Sequence, residues 1–184
     1  MDNGASSYSR YLEGDDSAFT ELVRLYKDGL TLYLCSFTNN MHDAEEIMED
    51  TFYKLAYKKP RYTAKSSFKT WLYTIGRNLA IDYLRKQKRH PSSSIDDYTE
   101  LADNACIEEN YLKEEQKLVI HKAVNNLRTD YRQVICLIYF EDFTNIEAAR
   151  IMRRTSRQLT NLLYQAKQAL KKELEKEGIT YAGL

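Results

Sequence analysis

The chain has 184 residues, of which 27 are basic and 27 acidic, so there is no whole-molecule electrostatic case for a nucleic-acid partner and any such case rests on how the charge is distributed. A hydrophobic share of 43%, two prolines and six glycines suit largely helical packed cores, in one domain or two small ones. There is no apolar run of about 18 residues and no apolar stretch in the N-terminal MDNGASSYSRYLEGDD, which excludes a membrane span and a secretory signal and predicts a cytoplasmic protein without membrane insertion.

Cys35, Cys106 and Cys136 are far apart and are expected to be free thiols. His42, His90 and His121 stand at no ligand spacing with them, so no metal site is expected. No Gly-rich phosphate loop and no nucleophile-and-base set occurs, so the expectation is a non-enzyme that needs no cofactor.

Asp15 or Asp16 can cap a first helix running to about residue 39, with Phe19, Leu22, Val23, Tyr26, Leu30, Tyr33 and Phe37 as its apolar stripe. Asp43 with Glu46 fits a capping box that opens a second helix to Lys58. Its inner positions are Ala44, Ile47, Met48, Thr51, Phe52 and Leu55. Glu45, Glu46, Glu49, Asp50 and Tyr53 fall outside. Residues 59–65 form a loop, because Pro60 cannot continue a helix.

Ser66 or Ser67 can cap the next helix, which ends in Arg85, Lys86, Lys88 and Arg89 at the negative end of its dipole. Phe68, Trp71, Leu72, Ile75, Leu79 and Tyr83 recur at helical spacing and want a core. Tyr73, Arg77 and Lys88 lie opposite, with Asn78 and Arg85 at the edge, so this face offers cations, an amide and aromatic rings. Trp71 belongs to the core stripe, and Asp82 is expected to pair with a nearby arginine.

Residues 90–113 carry six acidic side chains against one late lysine and read, in part at least, as an acidic linker. A second helical region starts near Tyr111. Leu118, Val119 and Ala123 lead to Leu127, and then Tyr131, Val134, Ile135, Leu137 and Ile138 form a strongly apolar helix. Thr144 to Glu147 and Thr155 to Gln158 are two capping boxes separated by a short helix and the Arg153-Arg154 turn. Short helix, tight turn and capped helix make a helix-turn-helix. In its last helix Leu159, Leu163, Ala166 and Leu170 face inward. Arg157, Gln158, Asn161, Tyr164 and Gln165 are left where a recognition helix meets bases, and Lys167 and Lys171 reach toward phosphate.

The stretch 43–89, with its DAEEIMEDTF opening and SFKTWLYTIGRNLAIDYLR core, resembles region 2 of bacterial RNA polymerase sigma factors of the extracytoplasmic-function group. Residues 127–174, including LRTDYRQVICLIYFEDFTNIEAARIM, are similar to sigma region 4. The resemblance implies an all-α chain of two small helical domains, with region 2 over 10–90, an acidic linker over 91–112 and region 4 over 113–178. It implies a protein that binds core RNA polymerase and directs promoter recognition, DNA melting and transcription initiation.

The resemblance also implies residue roles. Glu46, Glu49, Asp50 and Tyr53 would dock on the clamp of the largest polymerase subunit, region 4 on the flap of the second. Tyr62, Ser66 and Asn78 would hold a flipped base of the −10 element, and Tyr73 and Arg77, facing outward, would meet the melted strand. The Thr155 helix, through Arg157, Gln158, Asn161, Tyr164, Gln165 and Lys167, would read the −35 duplex. Thr160 and Leu162 stand where relatives commonly carry cations, which predicts a shallow salt dependence. An anti-sigma protein is the further partner that such a resemblance suggests. The competing readings are a free-standing helix-turn-helix regulator with residues 1–110 as a sensing bundle, and an adaptor on polymerase without promoter activity.

Overall fold

The computed structural model describes residues 3–89, 120 and 122–176. Every regular element among them is a helix: α1 (Asn3–Leu12), α2 (Asp16–Thr38), α3 (Met41–Lys58), α4 (Phe68–Arg89), α5 (Thr129–Ile135), α6 (Asn145–Met152) and α7 (Ser156–Lys176). Helical residues 122–125 precede α5, which continues into a π-helical turn, Cys136–Phe140. The acidic stretch 91–112 and the helical start at Tyr111 lie outside the described residues.

Local chemistry explains most boundaries. Asp15 caps α2 by accepting from the Ser17 N–H, and Asn39 closes it in the left-handed conformation. The cap of α3 departs from the sequence expectation: Asn40, not Asp43, accepts from the Asp43 N–H at 3.1 Å. The helix therefore starts at Met41, and Asp43 accepts instead from the Tyr83 hydroxyl at 2.9 Å. That bond joins the starts of α3 and the end of α4, and burial, followed by the Asp43 hydrogen bond, pushes the Tyr83 phenol up to about 12. Of the two serines open for α4, Ser67 bonds the Thr70 N–H.

Both expected capping boxes of the helix-turn-helix form. Thr144 and Glu147 exchange bonds at the start of α6, and Gln158 and Thr155 exchange bonds of 2.9 and 3.2 Å at the start of α7. Arg153, in the left-handed region at φ 53°, makes the turn between them.

α1 has no counterpart in the sequence reading. Its sequence, NGASSYSRYL, is polar apart from Gly4, Ala5, two tyrosines and a leucine. Tyr8 is 1% exposed and packs on Phe68 and Trp71, with ring centroids 5.4 and 5.5 Å away. Its hydroxyl donates to the Pro60 carbonyl at 2.8 Å, and that of Tyr11 to the Ala56 carbonyl at 3.2 Å. Tertiary contacts, not a stripe, hold this helix.

The core of α1–α4 is the stripe expected for α4 set against α2 and α3: Leu22, Leu30, Leu34, Ala44, Ile47, Leu55, Phe68 and Leu72 are all at most 1% exposed. Trp71 is half-buried among Tyr8, Tyr62 and Phe68, which fits its place on the core stripe. α5–α7 form a second group around Val134, Leu137, Ala148, Ile151, Leu159 and Ala166. The two groups share one continuous core and pack α4 and α2 against α5, α6 and the π turn.

Candidate nucleic-acid interface

The outer face of α3 is exposed. Glu46, Glu49, Asp50 and Tyr53 all reach solvent, and Tyr53 stacks on Tyr57 with centroids 4.3 Å apart. These rings are 56% and 72% exposed, so a tyrosine pair stands beside three carboxylates. Tyr57 escaped the sequence reading, although its i+4 spacing from Tyr53 places both on one face.

The loop before α4 is tied inward. Tyr62 donates its hydroxyl to the Ser66 carbonyl, and its ring meets Phe68 edge-on at 5.6 Å. Tyr62 and Ser66 therefore come together. Asn78 stands on α4, ten residues after its first residue.

Tyr73 is 0% exposed, contrary to the expectation that it faces outward. The reason is tertiary. Its ring stacks on Tyr33 at 5.5 Å and meets Phe143 edge-on at 4.9 Å, and its hydroxyl donates to the Glu141 carboxylate. Burial, with the nearby Glu141 charge, raises the Tyr73 phenol far above its ordinary value. Arg77 is half-buried rather than outward, and burial lowers its pKa, with Arg153 and Arg154 adding like-charge repulsion. Asn78 accepts from Arg153 at 3.0 Å.

The rest of this face is also covered. Lys69 pairs with Glu141 at 3.0 Å and donates to its backbone carbonyl at 2.7 Å. Ser67 and Thr70 donate to Glu147 at 3.0 and 3.2 Å, and Arg150 donates to the Lys65 carbonyl at 2.6 Å. Burial works against ionisation of Glu147, but the hydrogen bonds from Thr144, Ser67 and Thr70 outweigh it and hold the carboxyl below its ordinary value. A depressed folded-state pKa contributes stability above the unfolded value, which is lost as pH falls through the folded one. An NMR titration of the Glu147 side-chain carboxyl is expected to show a midpoint below the ordinary glutamate value of about 4.3; a midpoint above it contradicts this bonding.

On α7 the side chains meant for duplex DNA divide. Arg157, Asn161 and Tyr164 are exposed. Gln158 is engaged in the cap, Gln165 accepts from the Tyr131 hydroxyl at 3.3 Å, and the Lys167 ammonium sits 5.4 Å from the Tyr139 ring centroid. Leu162 is 5% exposed, in the core beside half-buried Leu163. It is thus not a vacated cation position on the DNA face. Thr160 is exposed there.

Among the described residues no group of three or more His, Cys, Asp or Glu side chains is placed to hold a metal ion. None of the described helices is long and apolar enough to cross a membrane. Asp82 pairs with Arg85 at 3.4 Å, as expected.

Family comparisons agree with this arrangement. Residues 22–90 match the model of sigma-70 region 2, and 117–170 that of sigma-70 region 4. The chain is 30% identical over 151 residues to the ECF RNA polymerase sigma factor SigM of Bacillus subtilis, covering 82% of this chain and 91% of that protein. It is 28% identical over 173 residues to SigW of the same organism, covering 88% and 91%. Among solved structures, the sigma factor RpoE from Bartonella quintana, in complex with the anti-sigma factor NepR, superposes with a TM-score of 0.69 at 25% identity over 85% of this chain and 96% of that one. With two sigma regions in order on one all-α chain, the protein belongs to the ECF RNA polymerase sigma factors and directs promoter recognition and transcription initiation by core RNA polymerase.

Proposed function

We propose a division of this sigma activity among three surfaces, on domains spanning 10–90 and 113–178 joined by a linker over 91–112. The outer face of α3, through Glu46, Glu49, Asp50 and Tyr53, docks on the clamp of the largest polymerase subunit, and Tyr57 widens that surface. Lys69, Tyr73 and Arg77 on α4 hold the melted −10 strand, while Tyr62, Ser66 and Asn78 line the pocket for the flipped base. Arg157, Asn161 and Tyr164 read −35 base edges, with Gln158, Gln165 and Lys167 at the margins of that face. Region 4 rests on the flap of the second subunit. The chain acts without a catalytic centre of its own, in the cytoplasm, and an anti-sigma protein is a partner by analogy with the NepR-bound relative.

The observation that carries the α3 assignment is the stacked Tyr53–Tyr57 pair beside the Asp50 carboxylate on an uncovered helix face. Rim charges steer an encounter and exposed aromatics anchor it. Titration of the labelled chain with purified core RNA polymerase tests it. Asp50→Lys is expected to weaken binding about 10-fold to 100-fold. Unchanged affinity in the variant refutes the docking surface, and no binding by the wild type removes the whole division.

A further inference from the structure

Gly29 lies in the interior of α2, where a glycine costs about 1 kcal/mol of helix stability relative to alanine. Nothing in α2 itself calls for it, because its backbone is ordinary helix. The contact it makes does: a Cβ at Gly29 would stand 2.5 Å from both carboxylate oxygens of Glu141. The missing methyl makes room for a charged group from the far half of the chain. The other walls of that seat are the Lys69 ammonium and the Tyr73 hydroxyl.

The chain around Glu141 is built to deliver it. The π-helical turn Cys136–Phe140 ends in a wide bond from the Glu141 N–H to the Cys136 carbonyl at 3.0 Å, and Asp142 turns back at φ 54°. Such π turns are uncommon and cluster at functional places. Phe143, 5% exposed, then fills the space beside Tyr73. One helix further on, Glu147 takes Ser67 and Thr70.

We propose that this is an intramolecular docking surface: Glu141 and Glu147 of region 4 latch onto region 2 in the free chain, occupying the groups that otherwise bind the DNA strand. A cation, a phenol and two hydroxyls suit an anionic chain, whether its anions are carboxylates here or phosphates of single-stranded DNA. The two cannot be bound together. The Tyr53–Tyr57 face of α3 stays exposed in the latched chain, so polymerase docking needs no release whereas strand capture does. The competition with DNA rests on the α4 assignment proposed above, but the latch itself does not.

Zero-length carbodiimide coupling of the full chain reads the latch, because an amide forms only where an amine already touches a carboxylate. Peptide mapping of the monomer band is expected to find Lys69 joined to Glu141. A Cβ at Gly29 obliges the Glu141 carboxylate to move without touching a charge, so Gly29→Ala is expected to lower that product several-fold, with helix content by circular dichroism unchanged and a larger radius of gyration by small-angle scattering. Absence of the product in the wild type, or equal yield in Gly29→Ala, overturns the latch. If Gly29→Ala loses helix content, Tyr73→Phe carries the test, since it removes the hydroxyl that donates to the Glu141 carboxylate; an unchanged yield there overturns it equally. Mixed-sequence single-stranded DNA, followed by anisotropy, is expected to bind Gly29→Ala several-fold more tightly than wild type. Equal binding with the crosslink lost would remove the competition and leave the latch. The polymerase assignment stands or falls separately, on the Asp50→Lys titration.

Discussion

Phe68→Ala is expected to destabilise the protein by about 3–5 kcal/mol, the range for deleting a fully buried aromatic ring that leaves a cavity. Phe68 is 0% exposed and stands at the first position of α4, where its ring lies between 5.4 and 5.8 Å from those of Tyr8, Tyr26, Tyr62 and Trp71. Its ring thus meets rings from α1, α2, the loop before α4 and α4 itself. Its loss removes the floor under Tyr62 and the anchor of α1 together. Urea denaturation followed by circular dichroism measures the cost. Trp71, the one tryptophan of the chain, reports it locally by a red-shifted emission as its pocket opens. A loss under about 1 kcal/mol would mean that the aromatic cluster is not the keystone its geometry implies.

Leu162→Ala and Thr160→Lys are expected to act on different properties, although both positions read alike as missing cations in the sequence. Leu162 is 5% exposed, so truncation costs about 2–4 kcal/mol of region 4 stability, with the salt dependence of duplex binding unchanged. Thr160 is exposed, its hydroxyl bonded only within α7 to the Ser156 carbonyl at 3.0 Å. A lysine there can reach phosphate, and each phosphate contact steepens the log–log salt slope by about 0.9. Duplex binding at several salt concentrations, beside thermal unfolding, separates the two. A steeper slope for Thr160→Lys at unchanged stability, with the converse for Leu162→Ala, confirms where α7 turns its DNA face. A Thr160→Lys slope equal to wild type places that residue off the duplex.

Along α7 the inward stripe was expected at Leu159, Leu163, Ala166 and Leu170. The buried set is Leu159, Leu162, Ala166, Leu170 and Leu174, with Leu163 half-buried. Both sets share the 3.6-residue period, and their phases differ by less than one residue's rotation. Periodicity finds a face but cannot place its centre, because that depends on the surface of the partner helix.

What the sequence alone determined are the features whose causes are local. The Asp15 cap, the capping boxes at Thr144 and Thr155, the stop at Pro60 and the stripe of α4 each depend on residues within a turn or two. The two sigma regions were legible for the same reason: their wording follows the helices and turns that carry them. Only the tertiary structure decided the rest. α1 is helical because Tyr8 and Tyr11 find carbonyls some fifty residues away, and no short-range pattern announces that. Tyr73 lies on the polar side of its own helix and is nevertheless buried, because burial there comes from Phe143 and Glu141, seventy residues on. Gly29 is an unfavourable residue in α2 until the Glu141 carboxylate is placed against it. Short-range hydrogen bonding is written in neighbouring letters, whereas a contact between the two halves of the chain has its energy in surfaces that come into being only after each half has folded.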